Sequence, residues 1–169
     1  MPPETTGIFR PSGHVLLRTV DDTHAWGARL GALLKAGDLL VLTGDLGAGK
    51  TTLTQGIADG LGVRGPVTSP TYVISRVHPS MADGPDLVHV DAYRLGGLAE
   101  LDDLDLDASL DAAVTIVEWG HGVAEHLSEG YLEVTLRGLD TRTVDLVGHG
   151  ARWTDPAAGA ALDGLVSLA

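Results

Sequence analysis

The run Gly44-Asp45-Leu46-Gly47-Ala48-Gly49-Lys50-Thr51 constrains this chain more than any other feature. It satisfies Gly-x-x-x-x-Gly-Lys-Ser/Thr without exception. Glycine is required there because a loop that wraps a phosphate with backbone N–H groups leaves no room for side chains. Leu39–Thr43 (LLVLT) precedes it, a short apolar run of the kind buried on both faces of a parallel sheet. Leu53, Ile57 and Leu61 follow at i, i+4 and i+8 on a predicted helix whose positive end faces the same anion, and Gly60 and Gly62 supply its stop signal. Strand, glycine loop and helix in that order read as a nucleotide P-loop. Lys50 then reaches the β- and γ-phosphates and the Thr51 hydroxyl ligates magnesium, with Thr52 beside them. Accident is a poor explanation. The chain has only two lysines, Lys35 and Lys50, among 23 glycines, and a shuffled sequence of this composition shows the pattern roughly once in 200 tries.

A P-loop alone hydrolyses nothing, since magnesium needs carboxylate support and an attacking water must be oriented. Asp91 follows LVHV and Glu118 follows VTIV, so each stands at the C-terminal end of a predicted strand. Either acid alone reads equally well as a strand-end cap; the two together behind a P-loop read as a site. Thr68-Ser69-Pro70-Thr71 enters a strand from a loop, and is either a plain turn or a way to bring a hydroxyl near the γ-phosphate. His89 lies two residues before Asp91, but no further ligands accompany it, so a core histidine is the better reading than a metal ligand. Trp119 directly follows Glu118 and is expected on the opposite side of the strand, as core or packed near the nucleotide. Trp26 reads as core.

The chain of 169 residues suits one domain. Residues 1–12 read as a flexible leader, 13–150 as the nucleotide-binding domain and 151–169 as a helical C-terminal extension. The predicted order is a strand at His14–Val20, a helix from about Thr23 to Lys35 capped by Asp21 or Asp22, the strand–loop–helix above, and strands at Thr71–Val77, Leu87–Val90 and Val114–Val117. Short helices are expected within Leu98–Leu110 and a helical turn at His121–His126. Tyr131–Leu136 and Thr141–Val147 form a closing hairpin, and the Ala-rich tail from Pro156 is helical. The fold class is α/β, a three-layer P-loop NTPase-like architecture with a mostly parallel sheet and antiparallel strands at its C-terminal end.

Net charge is −12, and ten acids without one Lys or Arg fall between Leu95 and Leu136. Nucleic-acid binding draws most of its affinity from phosphate neutralisation, so independent binding to nucleic acid, DNA included, is disfavoured. The acidic stretch is either a solvated face or a docking surface for a basic partner. Cysteine is absent, which excludes disulfides, a thiol nucleophile and thiolate metal sites. No apolar stretch approaches the roughly 20 residues that span a bilayer, and the N-terminal residues lack a signal core. The cytoplasm is the expected location, with no membrane partner.

GDLGAGKTT (44–52), SPTY (69–72), HVDAYRL (89–95) and VEWG (117–120) occur in that order. Together they resemble the bacterial TsaE family, small P-loop ATPases needed to make threonylcarbamoyladenosine beside the anticodon of tRNA. The resemblance runs from about His14 to Val147. It implies that Gly44 to Thr51 hold the phosphates of ATP and that Thr51 with Glu118 supports Mg2+. Asp91 corresponds to the family's Walker-B-like acid, also near the metal, and Lys50 and Trp119 to residues needed for activity. Thr71 belongs to a switch-like loop; the turn at Val20–Asp21 and Arg142 resemble contacts to adenine and phosphate. The implied partners are TsaB and TsaD, with tRNA met only through that complex. Arg94 and Arg142 are the only candidates for an arginine finger in cis, so intrinsic hydrolysis is expected to be weak. The rival readings are a small P-loop kinase, disfavoured because a lid region at 95–136 has no arginine, and a nucleotide-gated binding module without turnover.

Overall fold

The computed structural model describes residues 7–45, 47, 49–65, 67, 75–92, 110–119, 124–138 and 140–167. Strands β1 (Ile8–Phe9) and β2 (Val15–Leu17) lead into helix α1 (Val20–Leu33), then β3 (Leu39–Gly44) and α2 (Lys50–Leu61). Next come β4 (Ser75–His78), β5 (Asp86–Asp91), β6 (Ala113–Glu118), a 3₁₀ turn at Ala124–Leu127, β7 (Tyr131–Arg137) and β8 (Arg142–His149). Helices α3 (Ala151–Thr154) and α4 (Pro156–Ser167) close the chain. One sheet runs β1-β8-β7-β3-β6-β5-β4, with β2 also paired to β8. Its four central strands β7, β3, β6 and β5 are parallel. Antiparallel pairing occurs at both margins: β8, β1 and β2 on one side and β4 on the other. The expected α/β fold with a parallel centre is present, and β4 adds an antiparallel margin that the LVHV and VTIV runs did not announce.

Alternation along the strands splits the core in two, because successive side chains face opposite sides of a sheet. Leu40, Leu42, Leu87, Ile116, Leu132 and Val134 meet Trp26 and Leu30 of α1, Leu53 and Ile57 of α2 and Leu162 of α4. Leu39, Val41, Val88, Val90 and Val117 face the other way, covered by Leu110, Leu127 and Tyr131. The short helices expected at 98–110 lie outside the described residues up to 109.

Helix α1 starts three residues earlier than expected. Thr19, not Asp21, is its N-cap: Asp22 N–H donates to Thr19 Oγ1 at 3.0 Å while Thr19 N–H donates to Asp22 Oδ2 at 3.2 Å. This capping box satisfies two otherwise orphaned donors. Two boundaries of the domain reading also move. Ile8–Phe9 pairs with Gly148 and His149 instead of belonging to a free leader. No break in the core falls at 150, since Trp153, Leu162, Leu165 and Val166 share one cluster with Val15 and Leu30. Trp26 Nε1 donates to the Leu165 carbonyl at 3.2 Å, tying α4 to α1.

Gly60 does not stop α2; that role belongs to Gly62, whose left-handed φ of +74° forms the C-cap. Gly60 sits inside the helix against α1. A Cβ there would fall on the Ala28 carbonyl oxygen, one on Gly31 would fall on that of Ile57, and one on Gly56 on that of His24. Backbone thus meets backbone where the two helices cross, and no neighbouring side chain can give way. Gly31→Ala is therefore expected to destabilise the fold by about 3 kcal/mol, the upper range for overpacking. A urea midpoint within error of the wild type would show that the helices separate freely.

Candidate nucleotide site

Parallel register assembles the site. Leu42 of β3 lies opposite Glu118 of β6, and Glu118 lies opposite Asp91 of β5. The loop after β3 and both carboxylates therefore emerge at one end of the sheet, at the C-terminal ends of neighbouring strands where α/β proteins bind ligands. Gly47, Gly49, Lys50, Thr51, Thr52, Glu118, Trp119 and Arg142 line an open cleft of about 380 Å³ there. Gly44 ends β3, buried, and Asp45 follows it exposed. Leu46, Ala48, Thr71 and Arg94 lie outside the described residues.

The loop has the backbone that its glycines predict. Gly47 and Gly49 adopt φ of +82° and +100°, which side-chain-bearing residues rarely do. Gly49 is bound doubly, because a Cβ there would stand 2.8 Å from Arg142 Nε. Gly49 is also the N-cap of α2 and offers no side chain, so the first-turn amides of that helix lack a side-chain cap. Uncapped N–H groups at a helix start attract anions.

Lys50 is buried, with 8% of its surface exposed. Its Nζ donates to the carbonyls of Gly44 at 2.6 Å and Asp45 at 3.0 Å. Burial pulls the ammonium below the usual lysine range, while the charges of Glu118, Asp45 and Asp91 act in the opposite direction. The ammonium also lies 4.1 Å from the centre of the Trp119 ring. That contact corrects the expected placement of Trp119. Its φ of +59° is the only positive value among the described non-glycine residues, so the chain turns immediately after β6. The indole is thereby swung back over the P-loop, where strict strand alternation puts it on the far side. Nothing in the Glu-Trp-Gly run signals a left-handed aromatic residue.

Glu118 is 3% exposed, and its Oε1 is buried with no hydrogen-bond partner among the described residues. A carboxylate oxygen buried without a partner is costly and suits a cation or a cation-bound water. Asp91 is half-buried at the end of β5. Thr51 supplies a hydroxyl to the same cleft. This donor set of oxygens matches what magnesium prefers. His89 is fully buried, as expected of a core histidine, yet its Nε2 stands 3.5 Å from Glu118 Oε2. Val20, read as a base contact, does not line this cleft; it is 58% exposed in the first turn of α1. Its neighbours Arg18 and Asp22 line a separate cleft of about 410 Å³ with Leu16, Trp26 and Arg29.

Residues 17–144 match the family described as threonylcarbamoyl adenosine biosynthesis protein TsaE. The chain belongs to the TsaE family. A Streptomyces coelicolor relative, named tRNA threonylcarbamoyladenosine biosynthesis protein TsaE, is 59% identical over 134 residues, covering 75% of this chain and 90% of its own. TsaE proteins of the same name from Mycobacterium bovis and Bacillus subtilis are 51% and 39% identical, over 83% and 80% of this chain and 89% and 87% of their own. The crystal structure of Bacillus subtilis YdiB superposes with a TM-score of 0.68 at 29% identity, covering 96% of both chains. No helix among the described residues is long and apolar enough to cross a membrane.

Proposed function

We propose that this protein binds ATP with magnesium and hydrolyses it slowly, acting on the TsaB–TsaD pair in the threonylcarbamoylation of tRNA. The observation that carries this reading is the convergence of Lys50, Thr51 and Glu118 on one cleft beneath a glycine loop with left-handed backbone. Family membership supports the process, and the P-loop chemistry supports the nucleotide.

Each residue has a separable task. The loop amides and the start of α2 bind the phosphates. Lys50 leaves the Gly44 and Asp45 carbonyls to contact the β- and γ-phosphates. Thr51 and Glu118 hold the metal, which when bound neutralises charge on those phosphates. Asp91 orients the attacking water, and Trp119 sets the position of Lys50 through its ring. Arg142, against Gly49, contacts a phosphate. Direct grip on tRNA has little support at a net charge of −12, which favours a basic patch on a protein partner instead.

Phosphate release measured with and without TsaB–TsaD tests this directly. Slow release alone and a large stimulation by the complex is the expected result, since arginines supplied in trans accelerate hydrolysis by roughly 10³–10⁵. Equal rates in both conditions would remove the partner from the reading. Transfer to a small-molecule acceptor would make the protein a kinase, and no release in either condition would make it a nucleotide-gated module.

A further inference from the structure

We infer that His89 is a positioning residue for Glu118, holding one carboxylate oxygen so that the other is directed at the metal; this rests on the nucleotide site proposed above. The ladder explains how they meet. His89 pairs opposite Ile116, and Glu118 lies two residues further along β6, so both side chains leave the same face of the sheet. Nothing on that face of the strand pair needs a histidine for packing, since Leu87, Val114 and Ile116 beside it are all apolar and fully buried.

Burial makes the pairing consequential. His89 has no exposed surface, and among the described residues both ring nitrogens lack a hydrogen-bond partner, as does Glu118 Oε1. Polar groups desolvated to that degree are costly unless they serve one another. Nε2 stands 3.5 Å from Oε2, and a shift of about 0.5 Å brings it to ordinary donor distance. The carboxylate is thereby divided. Oε2 stands toward the imidazole, and Glu118 as a residue lines the cleft together with Thr51 and Lys50. Glutamate has three side-chain torsions, and a donor at its back selects among them before any cation arrives. Outer partners of metal-binding carboxylates carry weight of this kind.

The test uses the full chain with ADP as the probe, so that no turnover is required. Affinity is titrated in EDTA and across a magnesium series for the wild type, His89→Leu and His89→Gln. His89→Leu is expected to raise the magnesium concentration for half-maximal tightening by about tenfold, the usual effect of deleting such a partner, with affinity in EDTA unchanged. His89→Gln, whose amide can donate to Oε2, is expected to recover most of that loss. A magnesium midpoint unmoved in His89→Leu, or an equal loss in EDTA, overturns the assignment. Nitrogen NMR of the wild type provides a reading free of any folding defect: Nε2 should carry a proton, and a ring protonated on Nδ1 alone overturns the assignment. Wild-type binding without magnesium dependence would overturn the underlying site along with it, whereas magnesium-dependent wild-type binding with an indifferent His89→Leu overturns only the role of the histidine.

Discussion

Lys50→Ala is expected to lower ATP affinity on the order of a hundredfold, the loss of charge-assisted hydrogen bonds to phosphate, and to abolish ATP-dependent function. Its effect on the fold is larger than for an exposed loop residue. Lys50 is buried, and its removal leaves the Gly44 and Asp45 carbonyls without their ammonium donor. A stability loss of about 1–3 kcal/mol should accompany the lost function. Thr51→Ala separates the two effects, since its side chain is half-buried and lines the cleft. It should retain the wild-type melting temperature while losing magnesium-dependent binding. Calorimetry for affinity and a reconstituted tRNA modification assay read both variants. Full modification activity in Lys50→Ala would mean that the P-loop is not the working site.

The second large effect divides the labour of the two carboxylates. Glu118→Gln removes the negative charge beside Thr51 and should weaken nucleotide binding by about tenfold in magnesium and hardly at all in EDTA. Asp91→Asn should spare binding and reduce partner-stimulated hydrolysis by about 10² or more, the contribution of a positioned general base. Loss confined to turnover marks an interaction made only in the transition state. Their positions suit these tasks: Glu118 is nearly inaccessible at the cleft wall, whereas Asp91 is half-buried one strand further from the loop. Should Asp91→Asn lose magnesium-dependent affinity and Glu118→Gln keep it, the two assignments exchange.

Features with a short-range physical cause were legible from the residues. LLVLT, LVHV and VTIV became β3, β5 and β6 because strands buried on both faces read as unbroken apolar runs. The P-loop was legible because its glycines answer a local backbone demand, visible as φ of +82° and +100° at Gly47 and Gly49. The hairpin of β7 and β8 followed from simple alternation. What escaped depends on contacts far apart in sequence. Ile8–Phe9 is too short to carry a period, and its strand exists only because β8 offers an edge. Gly27 and Gly31 on α1 look like weak points of a helix until α2 is packed against them. Within the site, the contact of Trp119 with Lys50 rests on one left-handed residue, and that of His89 with Glu118 on the register of two strands. Neither leaves a pattern in the order of residues.

The pairing of Ile8–Phe9 bears on how copies of this protein behave toward one another. A sheet margin with free N–H and C=O groups is a template for a foreign strand. Here the outer side of β8 is occupied at one end by β1, along Gly148 and His149, and at the other by β2, from Arg142 to Val144. Only Asp145, Leu146 and Val147 fall between, too few for a stable intermolecular ladder. The opposite margin is β4, four residues long with a charged Arg76 in its middle. The first strand thus covers one end of the β8 edge, and shortening the N-terminus past Phe9 would open that edge to pairing with a foreign strand.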